Sequence, residues 1–242
     1  MNPKVSIVMP TYNRAASFLK EAISSVLSQG FSDFELIIID DASTDNTESL
    51  VQSFRDKRIV YVKTTQNHGE YWSTNYGVNM ARAKYLTWVH SDDLLAEDSL
   101  GLRTKELEND PRLEFVHGDI IKIDAKGNII KKVESISWPK AKIISQYLLP
   151  TREREKKSLI HHTTIMMKWK FFYKAGPFDC SLPFAGDIDW LIRAIKIGNF
   201  SYIPQTLYYY RSHKDTRRVV DIKNGVDEEK INRMIARRYE ET

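Results

Sequence analysis

Three apolar runs each stop abruptly at polar or acidic side chains: VSIVMPTYN from Val5 to Asn13, ELIIIDDAS from Glu35 to Ser43, and YLTWVHSDDLL from Tyr85 to Leu95. Near-continuous apolar runs of this kind suit strands buried on both faces. Helix signals lie between them. Phe18, Ala22 and Val26, with Leu19, Ile23 and Leu27, recur at spacing four and predict an amphipathic helix over 14–29 that ends at Gly30. Asp45 followed by Glu48 has the reach of a capping box opening a helix over 46–56, with Asp in place of the usual Ser or Thr. A further strand, IVYVKT, starts at Ile59, and a helix from Glu70 to Ala83 leads into the run at Tyr85. Strands alternating with helices imply parallel βαβ units with right-handed crossovers. Ligands of such sheets sit outside the strands' carboxyl ends, so the three polar strand ends should converge on one rim.

The second half changes character. Residues 114–133 read as two strands around a turn from Asp124 to Asn128, followed by a polar, basic and irregular stretch from Ser135 to Lys157. SLIHHTTIMMKW, from Ser158 to Trp169, reads as a strand and Lys170 to Ala175 as a short helix. A longer helix is predicted from Asp187 to Gly198, with Ile188, Leu191, Ile192 and Ile195 inward.

A chain of 242 residues that is 42% apolar can bury a full core as one large domain, or as one domain with a small appendage. Its single cysteine, Cys180, cannot form an internal disulfide, which fits a reducing compartment. The N-terminus enters a strand at once, and no window approaches the roughly 18 apolar residues of a membrane span, so a cytoplasmic protein is expected. The net charge of +4 is unevenly placed, with Lys and Arg clustered in 122–142, 152–157 and 211–218. Such clusters suit phosphates or anionic lipid as readily as a solvated surface. Neither G-x-G-x-x-G nor G-x-x-x-x-G-K-[ST] occurs, so the phosphate cradles of dinucleotide-binding and P-loop proteins are missing.

The adjacent carboxylates Asp92 and Asp93 are well placed to hold a hard metal, because Mg²⁺ is usually bound through one or two carboxylates plus substrate phosphates. The alternative is that Ser91, Asp92 or Asp93 caps the next helix. With Pro10, Thr11 and Tyr12 after the first strand, Asp40 and Asp41 after the second, and Asp92 and Asp93 after the fourth, the chain resembles a family 2 glycosyltransferase of GT-A fold from Lys4 to about Arg218. The resemblance implies an α/β protein with a Rossmann-like, mostly parallel central sheet flanked by helices and a smaller mixed acceptor-side region. Residues 1–113 would be the nucleotide-sugar-binding half ending in a DXD-like motif, 114–218 the acceptor-binding and catalytic-base half, and 219–242 a C-terminal helical tail. The implied activity is metal-dependent, inverting transfer from a UDP-hexose to a hydroxyl of a glycan or lipid-linked acceptor, in bacterial surface polysaccharide or glycoconjugate assembly. Nucleic acid is not an expected partner.

The resemblance also assigns residues. Pro10, Thr11 and Tyr12 map to the base pocket, although a tyrosine at a strand end is also an ordinary packing residue. Asp41 maps to the acceptor of the uracil ring N–H, which cytosine lacks, while Asp40 is expected to be structural. Asn75 and Gly77 match a segment under the donor, with Thr74 where an arginine is common. In His90-Ser91-Asp92-Asp93, Asp92 maps to the ribose or metal position and Asp93 to the direct ligand of a divalent metal, Mn²⁺ or Mg²⁺. His90 stands where relatives have Asp and reads as a hydrogen-bonding wall, since these ions prefer oxygen. In GPFDCSLPFAGDIDWLIRA, Asp187 maps to the base that deprotonates the acceptor, with Gly186 in place of a common Glu and N-capping as the alternative role. Asp189 and Arg193 read as a salt-bridged pair at i and i+4. In the YYYRSH run His213 maps to the metal shell or the diphosphate, and Arg211, Arg217 and Arg218 are candidates to neutralise the leaving group.

Two rivals stand beside this reading. A nucleotidyltransferase would normally carry a Gly-rich phosphate loop that VMPTYNR lacks, and a non-catalytic binding module of the same fold would tolerate His90 and Gly186. In the tail, Ile222, Val226, Met234 and Ile235 lie among Lys223, Lys230, Arg233, Arg237 and Arg238. This basic amphipathic pattern is expected to pack on the domain or pair with another subunit in a homo-oligomer, ahead of peripheral contact with the inner face of a membrane.

Overall fold

A computed structural model gives the structure of the protein, in which residues 2–135, 137–149, 160–182 and 184–240 are described. Strands β1 (Val5–Thr11), β2 (Phe34–Asp40), β3 (Ile59–Lys63) and β4 (Tyr85–Trp88) pair in parallel in the order β3-β2-β1-β4. Every residue of β1, β2 and β4 is buried, as their apolar runs require. Consecutive side chains go to opposite faces. Val5, Ile7, Met9, Leu36 and Ile38 join one apolar layer with helix α1 (Leu19–Leu27), while Val8, Ile37 and Ile39 join the other with α3 (Glu70–Met80).

Beyond β4 the sheet becomes mixed. β8 (Met166–Lys168) runs antiparallel to both β4 and β6 (Phe115–Ile123), and β9 (Phe200–Arg211) is parallel to β6 and antiparallel to the two-residue β5 (Leu94–Leu95). β7 (Ile129–Val133) completes the expected hairpin with β6 around Asp124, whose carboxylate accepts from the Lys126 and Asn128 N–H groups. Both halves of the chain therefore share one nine-stranded sheet. The remaining helices are α2 (Thr47–Ser53), α4 (Ser99–Asn109), α5 (Lys140–Leu148), α6 (Trp169–Ala175), α7 (Gly186–Ile197), α8 (Arg217–Lys223) and α9 (Glu228–Glu240).

Local chemistry explains where the chain departs from its sequence pattern. α1 starts at Leu19, later than its periodicity predicts, because Asn13 adopts φ 51° and the Ala15 N–H donates to Asp45 Oδ2, drawing 12–18 across the strand ends. Asp45 also accepts from Thr47 N–H at the start of α2, but Glu48 bonds Gln52 instead of closing the box. Gly77 has a packing role: a Cβ there would lie 2.5 Å from Val8 Cγ1, so only glycine lets α3 sit this close to the sheet.

Two sequence expectations need correction. α5 occupies part of the stretch expected to be irregular, since Ile143 and Tyr147 bury one face of a helix that three-residue windows of Lys and polar residues disguise. Among the described residues of the run from Ser158, the strand spans Met166–Lys168, and a 3-10 helix occupies His162–Thr164. The tail packs on the domain: Ile235 and Ala236 are buried, Arg238 bonds Asp179 and Asp189, and the Tyr239 hydroxyl donates to Asp189. The basic cluster 152–157 lies outside the described residues. No helix among the described residues is long and apolar enough to cross a membrane.

Candidate active site

The carboxyl ends of β1, β2 and β4 meet α7 and the 3-10 helix around one cleft of about 520 Å³. Pro10, Thr11 and Tyr12 line it from β1, and Asp41 from β2. Thr11 Oγ1 and Ser73 Oγ are buried in this lining with no hydrogen-bond partner among the described residues, so both hydroxyls are available to a polar ligand. The two acids after β2 separate as expected. Asp40 is fully buried and structural, accepting from Ser43 N–H and the Tyr61 hydroxyl. Asp41 lines the cleft and accepts the main-chain N–H groups of His68 and Gly69, and an ionised carboxylate has lone-pair capacity beyond those bonds.

Asn75 does not belong with these residues. Its side-chain amide donates to Phe178 O at 2.9 Å and accepts from Phe178 N–H at 3.0 Å, which clamps α3 to the chain before α7 and leaves Asn75 off the cleft lining.

At the end of β4, His90, Asp92 and Asp93 offer ligand atoms that all lie within 4.8 Å of one another. Asp93 is buried: its Oδ1 accepts the Arg211 N–H at 2.7 Å, while Oδ2 makes no hydrogen bond among the described residues and lies 3.8 Å from His90 Nδ1. Burial first, and the adjacent Asp92 carboxylate second, push the Asp93 carboxyl up to about 8. Burial also works to raise Asp92, but the hydrogen bond with His213 and the charges of His90 and Arg14 outweigh it and hold Asp92 below the ordinary range. Two adjacent carboxylates, Asp93 buried and Asp92 partly so, with one oxygen that makes no hydrogen bond, fit a divalent cation, with Asp92 and Asp93 as the oxygen ligands. His90 bridges two acids, its Nε2 lying 3.2 Å from Glu70 Oε1 and its Nδ1 3.8 Å from Asp93 Oδ2. Burial works to lower the His90 pKa, but the charges of Glu70, Asp93, Asp92 and Asp187 raise it overall.

The residues after β9 hold this cluster from behind. Arg211 is 1% exposed, and its guanidinium donates to Glu21 Oε2, Asp92 O and Ala125 O, so it anchors the Asp92–Asp93 turn and is not a free cation for a leaving group. His213 Nδ1 accepts the Asp215 N–H and its Nε2 lies 3.0 Å from Asp92 Oδ2, so it braces Asp92 and stands outside the triad of potential ligands. The side chains of Arg217 and Arg218 lie outside the described residues. A cation does line the cleft: the Arg14 guanidinium lies 3.9 Å from Asp92 Oδ2 and bonds Asp215 O. The sequence pattern of polar residues after β1 extends to Arg14, and that extension was the available signal.

Across the cleft Asp187 sits in the first turn of α7. Its Oδ2 lies 2.9 Å from His162 Nδ1. Burial works to raise the Asp187 carboxyl, and the charge and hydrogen bond of His162 with the Ile188 N–H outweigh it and hold it well below the usual range. Gly186 is accounted for by Tyr71, whose hydroxyl accepts the Gly186 N–H and whose ring would lie 2.7 Å from any added Cβ. Asp189 and Arg193 form the expected pair, with Nη2 3.0 Å from Oδ2. His161 and His162 both line the cleft because the chain turns as a 3-10 helix there; a strand would have sent them to opposite faces.

A parallel half-sheet with a carboxylate rim, faced by an acid on a helix across the cleft, defines a glycosyltransferase of GT-A fold. The chain belongs to glycosyl transferase family 2, whose sequence model matches residues 6–180. An uncharacterized glycosyltransferase of Methanocaldococcus jannaschii is 33% identical over 213 residues, covering 86% of this chain and 71% of the relative. The chain spans only 34% and 35% of two rickettsial relatives. S. aureus TarS 1-349 in complex with UDP-GlcNAc superimposes with a TM-score of 0.68 at 20% identity, over 98% of this chain and 71% of that one. The mannosyltransferase PcManGT from Pyrobaculum calidifontis, in complex with GDP-Man and Mn²⁺, gives 0.65 at 18% identity over 98% of this chain and 69% of that one.

Proposed function

We propose that the protein transfers a hexose from a UDP-sugar to a hydroxyl of a glycan or lipid-linked acceptor, with inversion and with a divalent metal, in surface polysaccharide or glycoconjugate assembly. One observation carries the reading: the Asp92–Asp93 pair and Asp187 line a single cleft. Two structural neighbours support it, one in complex with UDP-GlcNAc and the other with GDP-Man and Mn²⁺.

In this reading Tyr12, 46% exposed, stacks on the base, and Asp41 accepts the uracil N–H. Arg14 meets the phosphates. Asp92 and Asp93 would hold Mn²⁺ or Mg²⁺, which would supply positive charge to the departing diphosphate. Asp187 belongs to the base function for the acceptor hydroxyl, and a single base-bearing site in the cleft is what an in-line, inverting displacement needs.

Asp187→Asn should keep UDP affinity and lower transfer by a factor on the order of 10² to 10⁴, the usual share of general-base catalysis. Turnover near wild type would reject Asp187. Intact UDP binding with no turnover in the wild-type protein would instead indicate a non-catalytic module.

A further inference from the structure

Asp187 does not face the cleft alone, because its Oδ2 is shared with the imidazole of His162. We infer that His162 and Asp187 form a dyad in which His162 Nε2 receives the proton of the acceptor hydroxyl and Asp187 orients and neutralises the imidazole. The inference rests on the glycosyl-transfer reading and names the atom on which the proton arrives.

Geometry gives the first argument. An ionised carboxylate only accepts hydrogen bonds, so the 2.9 Å contact assigns the proton of the neutral ring to Nδ1. Nε2 is then left with a free lone pair. It has no hydrogen-bond partner among the described residues, and the ring lines the cleft at 15% side-chain exposure.

The imidazole is also held in place. His161 stacks on it at 5.5 Å between centroids and 16° between planes. The carbonyl groups of Thr164 and Ile165, which close the 3-10 turn, accept from the buried Arg103 guanidinium, and that guanidinium also bonds Thr87 on β4. Thr164 Oγ1 ties the turn to β6 through the Gly118 N–H. This preorganisation matches what a group engaged in proton transfer requires.

Basicity gives the third argument. A carboxyl held well below its ordinary range is a poor proton acceptor, whereas a general base works best when its pKa lies near the operating pH. The free lone pair on His162 Nε2 offers an acceptor beside that carboxyl. The step balances as follows: the acceptor O–H bond breaks and Nε2–H forms, the oxygen bonds the anomeric carbon, and the carbon–oxygen bond to the diphosphate breaks with its electron pair leaving on the diphosphate. The imidazolium is paired with Asp187 until it returns its proton to water.

The test compares His162→Ala, His162→Asn and Asp187→Asn with wild type for UDP affinity and for transfer. The asparagine amide can donate to Asp187 from near the Nδ1 position but cannot take a proton, so it separates a positioning role from a catalytic one. The dyad predicts that both His162 variants keep UDP affinity and lose transfer by a factor on the order of 10² to 10⁴. It also predicts that added imidazole restores part of the rate to His162→Ala and none to Asp187→Asn. Transfer near wild type in His162→Asn would overturn the dyad, and if Asp187→Asn still fails, Asp187 remains as sole base. Full transfer in all three would remove both readings. Nitrogen NMR of the wild-type protein needs no variant: the dyad requires His162 at neutral pH with its proton on Nδ1 and a bare Nε2, and an Nε2–H tautomer or an imidazolium there would overturn it.

Discussion

Asp93 shows how a single side chain can carry a site's chemistry. Burial beside Asp92 makes its charge costly, one of its oxygens makes no hydrogen bond among the described residues, and a divalent cation would resolve both. Asp93→Ala should therefore weaken UDP binding strongly when Mn²⁺ is present and change it little in chelator; calorimetric titration under both conditions separates this from direct nucleotide contact, which would weaken binding equally in each. Residue positions were legible where chemistry and place in the chain both constrained them. Asp40 and Asp41 divide as structural and cleft-facing acids, and Asp187 reaches the cleft, because each follows directly from its place at a strand or helix end. Arg211 and His213 were read as ligand-facing from the resemblance of the YYYRSH run to the family's motif. Their hydrogen bonds to Asp92, Asp93 and Glu21 depend on β9 lying beside the Asp92–Asp93 turn, a long-range pairing that no local pattern encodes. Asn75 fails for the same reason, since its partner Phe178 is distant in sequence.

At the scale of elements, close packing makes glycines unequal. Gly77→Ala would drive a methyl group against Val8 and Ile39 and should destabilise the protein by about 1–3 kcal/mol, the usual cost of overpacking. Gly101, inside α4 with nothing within 4 Å of an added Cβ, gives the opposite sign: Gly101→Ala should stabilise by roughly 0.5–1 kcal/mol. Urea denaturation of both variants checks the pair, and equal shifts in one direction would contradict the packing account. The parallel strands and their helices were readable because apolar runs and period-four spacing are local signals. α5 was not, because Lys140 and Lys142 mask its buried stripe, and the strand reading of 158–169 missed the 3-10 turn whose stability comes from Arg103, a residue far away in sequence.

For the whole molecule, buried titratable groups set how stability responds to pH. Asp93 is raised to about 8, so its folded form holds a proton that the unfolded chain has lost by roughly pH 4, and its contribution falls as pH climbs towards 8. His90, also raised, stabilises below its unfolded value and loses that contribution as pH rises through its folded value. His117 and His161 are lowered to about 3 by burial, so they oppose folding only as pH falls below the ordinary 6.5. Between about pH 6.5 and 8.5 the first pair governs these terms. The melting temperature in chelator should then decline as pH rises across that window, and saturating Mn²⁺ should flatten the decline by replacing the Asp93 proton. A rise with pH in chelator would contradict the burial of Asp93. The sheet joins both halves and α9 packs against α7, so melting should be read as one transition of the whole chain.

The central claim is that this cleft cleaves a nucleotide sugar at its diphosphate with a metal held by Asp92 and Asp93. A panel of UDP-, GDP- and CDP-sugars incubated with the wild-type protein and Mn²⁺ tests it most directly, with released nucleoside diphosphate as the readout. The account predicts release of UDP from a UDP-hexose, lost with chelator and in Asp93→Ala, and no release from CDP-sugars, because Asp41 needs a ring N–H to accept. Release that persists undiminished in chelator, or that favours CDP-sugars, would contradict it.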